Sequence, residues 1–462
     1  MQLEKFTSVI VLFLFSLSLC YCYQINSGRS HFLYTDFGKF YQSAQFFDQG
    51  KNIYTKIFLS QKETTNSGIQ THIKQAAPDL NPPFFTLLVL PLGLLTYSSA
   101  LLLWSALSIA GGILSIILLQ KALKLNDPPI YLTLSFILAF FVYYPTFAVI
   151  QFGQVTLVLL PLVVAAWLSA KNKYLATAGI LLGIVASLKI IFGLFLIYFL
   201  MRREWRATIA FIATIIICSL IPLLFFGTKS YVDYYQIIHH IHWYASNWNA
   251  SLLGFLFRLF GSHENNASVF AIPHLANILF WLLSIILLLT FIKYLFPNNK
   301  LNQQTKLDLD FSMTLVVMLI LSPLGWLYYF PFLLIPFVVC VQLAQRSPHT
   351  RYLQILIAIA IALSGITSMF TSSEHITAAN ITAIFISSSC YVSTLIILLG
   401  VLFFLRYTLA QSPIRKTIGF SAILTYTIAL VPSLFSILLL INQGALFGEH
   451  FVLNFDTVYF GS

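Results

Sequence analysis

Long apolar runs, separated by shorter polar segments, recur along the chain from one end to the other. A helix of about 20 apolar residues spans the hydrocarbon core of a bilayer, so the pattern predicts an all-α polytopic integral membrane protein with about 12 to 13 transmembrane helices. It favours a single domain over 1–462. The apolar runs lie near 5–23, 84–96, 98–119, 130–148, 154–170, 174–188, 190–201, 207–225, 275–295, 311–322, 327–345, 352–370, 383–405 and 418–442.

Several neighbouring runs are too short to cross a bilayer alone, and polar or helix-breaking groups lie between them. These breaks fall at 151–154, at Lys189 and at 322–326. The run at 84–96 follows paired prolines and is predicted to be re-entrant. Irregular backbone at membrane depth is tolerated only where protein or a wet cavity satisfies its polar groups. Each break therefore marks a place where we expect some membrane-spanning helices to be discontinuous.

The first of two long polar loops, 24–82, contains one helical pattern of its own. Bulky residues recur at helical spacing from Phe37 to Phe47 and predict an amphipathic helix that ends near Gly50. Asp36 stands at the start of this helix. An Asp in this position is typical of an N-cap, and it would equally suit a general base if the helix lies on the outer membrane surface.

The composition supports the membrane class, because 59% of the residues are apolar and only 8% are charged. The net charge of +11 would suit nucleic acid, but the basic residues are scattered between the apolar runs, which is typical of orientation signals. With the amino terminus inside, most of them fall in inner segments, among them Lys171, Arg202, Lys306 and Arg406. The loops 24–82 and 227–274, with Asp36, are then expected outside.

The sequence indicates no metal site and no nucleotide site. Its five cysteines lack metal-ligand spacing and are interpreted as packing residues, and there is no phosphate-binding glycine loop, GxSxG or HExxH motif. The first apolar segment is expected to remain as a membrane anchor, with a cleaved signal peptide as the alternative.

A series of short motifs is arranged in a distinctive order along 30–345. They are Asp36-Phe37, Gly50-Lys-Asn-Ile-Tyr54, Asn81-Pro-Pro-Phe84 before a run with Pro91, Phe152-Gly-Gln154, Gly183 followed by Leu188-Lys189, Asn249-Ala-Ser251-Leu, and Ser322-Pro-Leu-Gly-Trp326. With this order and spacing the chain resembles glycosyltransferase family 87. Its members are GT-C enzymes, which include mycobacterial mannosyltransferases that use polyprenyl phosphate mannose.

The resemblance implies a GT-C-like fold with some broken or re-entrant helices. It also implies transfer of a hexose, with mannose expected, from a polyprenyl-phosphate-linked donor to a lipid or glycan acceptor. Asp36 matches the family's proposed general base. No metal, no cofactor besides the lipid-linked donor and no nucleic acid are expected. The expected location is a bacterial inner membrane, with the site on the periplasmic or extracellular face.

For an enzyme of this kind, the charge, hydrogen-bonding capacity and position of several side chains suggest that they meet the substrates. The donor and its phosphate are assigned to Lys189, Gln151, Gln154, His239, His240 and His242, and the lining to Tyr34, Asn81, Asn249, Trp326 and Tyr328. The histidines enter because the family often has a histidine after the Ser-Pro…Trp motif, where this chain has Tyr328 and Tyr329.

Most of these assignments have an ordinary alternative. Lys189 would otherwise extend its ammonium to the membrane interface, the glutamines would join helices, and the histidines would rest on a surface helix. Trp326 would otherwise anchor the chain at the interface. For the whole protein the alternatives are a transporter or flippase of lipid-linked sugars, a GT-C enzyme or ligase that uses another sugar donor, and a structural membrane subunit.

Overall fold

A computed structural model describes residues 36–55, 57–65, 68–76, 79–123, 130–241, 244–246, 248–261, 269–270, 272–296, 301–366, 378–409 and 429–437. Most of these residues are helical. In chain order the helices are α1 (Asp36–Asp48), α2 (Pro83–Gly93), α3 (Tyr97–Ala122), α4 (Ile130–Val142), α5 (Tyr144–Phe152), α6 (Thr156–Lys171), α7 (Leu175–Leu188), α8 (Phe195–Met201), α9 (Trp205–Leu220), α10 (Leu223–Phe226), α11 (Lys229–His239), α12 (Leu252–Phe260), α13 (Pro273–Leu295), α14 (Gln303–Leu321), α15 (Leu334–Ala344), α16 (Thr350–Ser364) and α17 (Ala378–Leu409). Two 3-10 helices, Ile190–Leu194 and Leu327–Leu333, precede α8 and α15.

The apolar helices confirm an all-α polytopic membrane protein. Within the described ranges, five helices are long and apolar enough to cross a bilayer: Tyr97–Ala122, Trp205–Phe226, His274–Leu295, Leu327–Ala344 and Ser388–Leu409. A sixth span results if Leu132–Val142 and Tyr144–Phe152, which meet at 66°, are counted as one broken helix.

The part of the chain that the structure describes contains fewer full spans than the total of about 12 to 13 expected for the whole chain. Five other apolar helices in the described residues have only 10–17 residues, too short to span a bilayer unaided. The run at 5–23 lies outside the described residues, as does most of the run at 418–442.

The loop between α1 and α2 contains a β-hairpin that the sequence analysis missed. Strands β1 (Ile57–Thr65) and β2 (Gly68–Ala76) pair antiparallel, with Ile57 opposite Ala76 and Thr65 opposite Gly68. From the sequence of this loop, only helix α1 was predicted and the two strands were not. The hairpin satisfies backbone groups that a long polar loop would otherwise leave to water.

Helix α1 forms as its pattern predicts and packs on α2 and α3. Phe40 meets Phe85 of α2 edge to face with ring centroids 4.6 Å apart, and Phe37 lies 5.6 Å from Trp104 of α3. Beyond the helix end, Gly50 has φ +66°, the left-handed conformation that commonly follows a helix. These contacts fix the start of α1, and therefore Asp36, against the rest of the protein.

One end of the helix bundle carries an ionic cluster. Asp308 of α14 accepts from Lys171 Nζ at 2.8 Å and from Trp167 Nε1 at 3.0 Å. Asp310 has a completely buried side chain and pairs with three cations, Arg202, Lys306 and Arg406. Basic residues that the sequence assigns to inner segments therefore meet at the start of α14. Its other end, at Leu321, lies about 20 Å further along the helix axis.

Candidate active site

A cavity of about 460 Å³ lies at the opposite end of α14, within the usual size range of ligand sites. Its wall is assembled from six parts of the chain: the start of α1, the segment before α2, the turn after α5, the residues from the end of α7 into the following 3-10 helix, α11 with the residues after it, and the 318–329 stretch. Two breaks predicted within apolar runs, at Lys189 and at 322–326, contribute directly to this wall. The turn after α5 contributes Gln154.

Asp36 faces this cavity from the first turn of α1. Its Oδ1 accepts from Lys39 Nζ at 3.0 Å, and its Oδ2 accepts a hydrogen bond from Gln154 Nε2. Gln154 is only 4% exposed and comes from a different part of the fold. The carboxylate is thus oriented by one cation on its own helix and one amide across the cavity wall.

The turn that presents Gln154 depends on a glycine. Gly153 follows α5 with φ +65°, a conformation that glycine adopts without the steric cost of a Cβ atom. Its carbonyl accepts from Trp104 Nε1 at 2.8 Å, and a Cβ atom at this position would lie 2.5 Å from Phe37 Cβ. The turn therefore packs directly against the residue that follows Asp36.

Lys189 enters the cavity between α7 and the 3-10 helix that follows it. Its backbone is extended, with φ −138° and ψ 100°, so the span is broken at this residue. Lys189 Nζ donates to Asn81 Oδ1 at 2.8 Å and lies 5.3 Å from the centroid of the Tyr329 ring. The ammonium is partly buried but has no carboxylate partner within 4.0 Å among the described residues.

Asp79 is a second carboxylate of this wall, and the sequence analysis did not single it out. It is 1% exposed, and its Oδ1 accepts from the backbone N–H of Asn81 at 3.0 Å and from Asn81 Nδ2 at 2.7 Å. Burial raises the pKa of Asp79 to about 6, against the lowering effects of the Asn81 hydrogen bonds and of Lys189. The signal in the sequence is the Asp-x-Asn spacing, which is typical of an Asx turn.

An aromatic wall, defined here as Trp326, Tyr328 and Tyr329, forms another side of the cavity. The rings of Trp326 and Tyr328 are stacked with centroids 5.9 Å apart, and Tyr329 meets Tyr328 edge to face at 5.1 Å. Aromatic faces of this kind suit the apolar face of a sugar ring as well as an acyl chain.

Asn249 was predicted to line the substrate site, but it is not part of the cavity lining. It lies behind the aromatic wall and supports it. Its side chain is 0% exposed. Asn249 Nδ2 donates to the Pro323 carbonyl at 2.9 Å, and Asn249 Oδ1 accepts from the Gly325 N–H at 3.0 Å. Because every polar atom of this amide is used by the protein, Asn249 holds the 322–326 segment in place.

The two predicted histidines that the structure describes, His239 and His240, do not line the cavity. His239 and His240 are exposed at the end of α11, and each Nδ1 lies within hydrogen-bond distance of a carbonyl one turn earlier, those of Tyr235 and Gln236. The side of α11 that lines the cavity carries Tyr234 and Ile238 instead. This correction has a geometric cause, since neighbouring positions on a helix point to different sides.

The remaining predicted residues divide into three groups. Asn81, Gln154, Lys189, Trp326 and Tyr328 line the same cavity as Asp36. Gln151 is partly buried in α5 and is not part of the lining, while Tyr34 and His242 lie outside the described residues. In the part of the chain that the structure describes, no three His, Cys, Asp or Glu side chains are grouped as metal ligands. The expectations about metals and cofactors remain predictions.

Part of the chain matches a known protein family. The model for glycosyltransferase family 87 matches residues 80–323 of 462, more than half of the chain. The matched range contains Asn81, Gln154 and Lys189, whereas Asp36 and Trp326 lie outside it.

A curated relative matches over a shorter stretch. It is the polyprenol-phosphate-mannose-dependent alpha-(1-2)-phosphatidylinositol mannoside mannosyltransferase of Mycobacterium tuberculosis, 30% identical over 111 residues. The match covers 23% of this chain and 26% of the relative, so only about a quarter of the relative's length is represented. No solved structure matches the chain significantly. The extent of the family match is decisive, and the chain belongs to glycosyltransferase family 87.

Proposed function

We propose that the protein is a membrane glycosyltransferase that transfers a hexose, namely mannose, from a polyprenyl-phosphate-linked donor to a lipid or glycan acceptor. The observation that carries the proposal is one cavity that holds both a carboxylate, Asp36, and an ammonium without a carboxylate partner among the described residues, Lys189. Transfer from a sugar phosphate needs both a base and a partner for the phosphate charge. Membership of the family supports the reaction type.

Asp36 is assigned the role of general base. In this step the acceptor hydroxyl loses its proton to a carboxylate oxygen of Asp36 as the acceptor oxygen attacks the anomeric carbon. The hydrogen bond from Gln154 and the ion pair with Lys39 hold the carboxylate in one orientation. A base oriented in this way needs no rearrangement before it accepts the proton.

Lys189 is assigned to the donor phosphate. As the new glycosidic bond forms, the bond between the anomeric carbon and the phosphate oxygen breaks, and its electron pair remains on the phosphate. The leaving polyprenyl phosphate therefore gains negative charge, which a nearby ammonium stabilises. The phosphate is already a good leaving group, so no general acid is required in this scheme.

The hydrocarbon part of the donor is assigned to the apolar residues next to Lys189. Ile190 follows Lys189 and is 61% exposed, and Ile191 and Leu194 line the cavity on the same short 3-10 helix. A polyprenyl chain that leaves the cavity here would meet apolar side chains, which suit the acyl region of a membrane. An ammonium next to these apolar side chains suits a donor that has a charged phosphate and a hydrocarbon chain.

The proposal also specifies mannose as the sugar and the outer face of a bacterial inner membrane as the location of the site. The name of the mycobacterial relative specifies polyprenol phosphate mannose, and this supports mannose as the first sugar to test. Four basic residues, Lys171, Arg202, Lys306 and Arg406, form ion pairs at the end of the bundle opposite the cavity. An excess of positive charge on the inner side would place the cavity outside.

The proposal is tested with purified protein in lipid nanodiscs. Labelled polyprenyl phosphate mannose and a membrane lipid extract should give a labelled glycolipid or glycan, while polyprenyl phosphate glucose serves as the comparison donor. If product formed only from polyprenyl phosphate glucose, the assignment of mannose as the transferred sugar would be wrong. A transporter or flippase would instead move labelled donor across a vesicle membrane and form no product, and that result would overturn the enzyme assignment.

A further inference from the structure

Three side chains in the cavity wall, those of Lys189, Asn81 and Asp79, are linked in series by hydrogen bonds. Lys189 Nζ donates to Asn81 Oδ1 at 2.8 Å, and Asn81 Nδ2 donates to Asp79 Oδ1 at 2.7 Å. The backbone of Asn81 is held from two sides, because its N–H donates to Asp79 Oδ1 at 3.0 Å and its carbonyl accepts from Tyr54 O–H at 2.7 Å. The series ends on a carboxylate that the proposed reaction does not use.

Asn81 alone does not determine which end of its amide faces Lys189. An amide has an acceptor oxygen and a donor nitrogen of nearly equal size, so a rotation about χ2 would present N–H groups to the ammonium. Asp79 accepts from Asn81 Nδ2 and thereby fixes the amide with its oxygen toward Lys189. The carboxylate thus orients a cation that it does not touch directly.

The two oxygens of Asp79 have different surroundings. Oδ1 accepts both hydrogen bonds from Asn81, whereas Oδ2 is buried and has no hydrogen-bond partner among the described residues. A proton on Oδ2 would neutralise Asp79 and leave both bonds to Oδ1 in place. Protonation can therefore change the charge of the wall without changing the geometry of the series.

We propose that Asp79 is a positioning residue of the donor site: through Asn81 it holds the Lys189 ammonium in place, and its negative charge limits how strongly the cavity attracts the donor phosphate. This inference rests on the assignment of Lys189 to the donor phosphate. It adds Asp79 to the donor site as a residue that acts through Asn81, and it predicts that donor binding depends on pH.

The direction of the pH effect follows from the charges around Asp79. The titratable or charged groups that interact with it or with its neighbours lie on several elements. They are Asp36 and Lys39 of α1, Tyr54, Lys189, Tyr231, Asp233 and Tyr234 of α11, and Tyr329. A carboxylate and a phosphate repel each other, so the donor should bind more tightly once Asp79 is neutral. Because burial raises the pKa of Asp79 to about 6, this change falls between roughly pH 7.5 and 5.

Binding of farnesyl methyl phosphodiester tests the inference without turnover, since this probe keeps one negative charge throughout that pH range. For the parent protein in nanodiscs, we expect its Kd to fall roughly 3- to 10-fold from pH 7.5 to 5.5. Asp79→Asn keeps an oxygen for Asn81 and is neutral, so its Kd should be low and flat with pH. Asp79→Ala removes the support of Asn81 and should bind weakly at both pH values.

The matched control is Asp48→Asn, because Asp48 is an exposed carboxylate at the far end of α1. It should reproduce the parent pH profile. A pH dependence in Asp79→Asn equal to that of the parent would overturn the inference, as would parent-like binding by Asp79→Ala. If Asp79→Ala does not fold, the pH profile of Asp79→Asn alone decides. Absence of sugar transfer by the parent protein would refute the proposed function and leave this binding test valid.

Discussion

Gly153→Ala should disturb Asp36 although the two residues are far apart in sequence. The new Cβ would lie 2.5 Å from Phe37 Cβ, and ordinary carbon contacts begin near 3.4 Å. The turn after α5 and the start of α1 must therefore separate by about 1 Å. Since Phe37 follows Asp36 directly, this movement displaces the carboxylate from Gln154.

The expected cost has two parts. Alanine in the left-handed conformation costs about 1 to 2 kcal/mol, and forcing a methyl group into a packed contact costs about 1 to 3 kcal/mol more. A misplacement of about 1 Å at a reacting group lowers the rate roughly 10²-fold. We expect a lower melting temperature and a much reduced kcat for sugar transfer, with a smaller change in donor KM.

Gly50→Ala is the matched control, because Gly50 has nearly the same φ, +66°, but a Cβ there would meet nothing within 4 Å. It should lose only the backbone part of the stability and keep its kcat. Thermal melting in detergent and initial transfer rates at saturating donor measure both quantities. The reasoning fails if Gly153→Ala transfers sugar as fast as Gly50→Ala, because the contact with Phe37 would then not position Asp36.

Three further predictions concern the donor, the orientation and the ionic cluster. Lys189→Ala should raise the donor KM strongly and Lys189→Arg should restore it in part, because the charge survives at a shifted position; unchanged donor kinetics in Lys189→Ala would return Lys189 to an interfacial role. In a cysteine-free background, Lys51→Cys and Tyr235→Cys, both exposed positions, should react with an impermeant maleimide on intact cells while Asn172→Cys does not; the reverse pattern contradicts the orientation. Asp310→Asn should destabilise the protein by about 3 to 5 kcal/mol, because three cations lose their shared buried carboxylate, and a melting temperature equal to that of the parent would contradict this role.

The elements that position the site were largely predictable from local patterns. The spacing from Phe37 onward gave α1 and its end at Gly50, since burial of one helix face leaves a clear periodicity. The break at Lys189 was visible because a lone cation between two short apolar runs is unusual in a membrane protein. The order of the motifs, which resembles that of the family, then suggested that Lys189 and Asp36 belong to the same site.

Other features depend on burial and on neighbours distant in sequence. Asp79 lies two residues before Asn81, but its isolation from water comes from the packing of the whole wall. Asn249 and Trp326 belong to neighbouring motifs, yet one supports the wall and the other forms it, a distinction that spacing does not contain. The direction of the histidines on α11 depends on how that helix is rotated against Tyr54.

The most direct test of the account is single-turnover sugar transfer by Asp36→Asn, with labelled polyprenyl phosphate mannose and the parent protein measured in parallel. Asn caps a helix about as well as Asp, so folding should stay within roughly 1 kcal/mol of the parent. An amide has no useful proton affinity near neutral pH, so the transfer rate should fall roughly 10²- to 10⁴-fold with donor binding largely kept. Transfer at the parent rate would contradict the account and leave Asp36 as a helix cap.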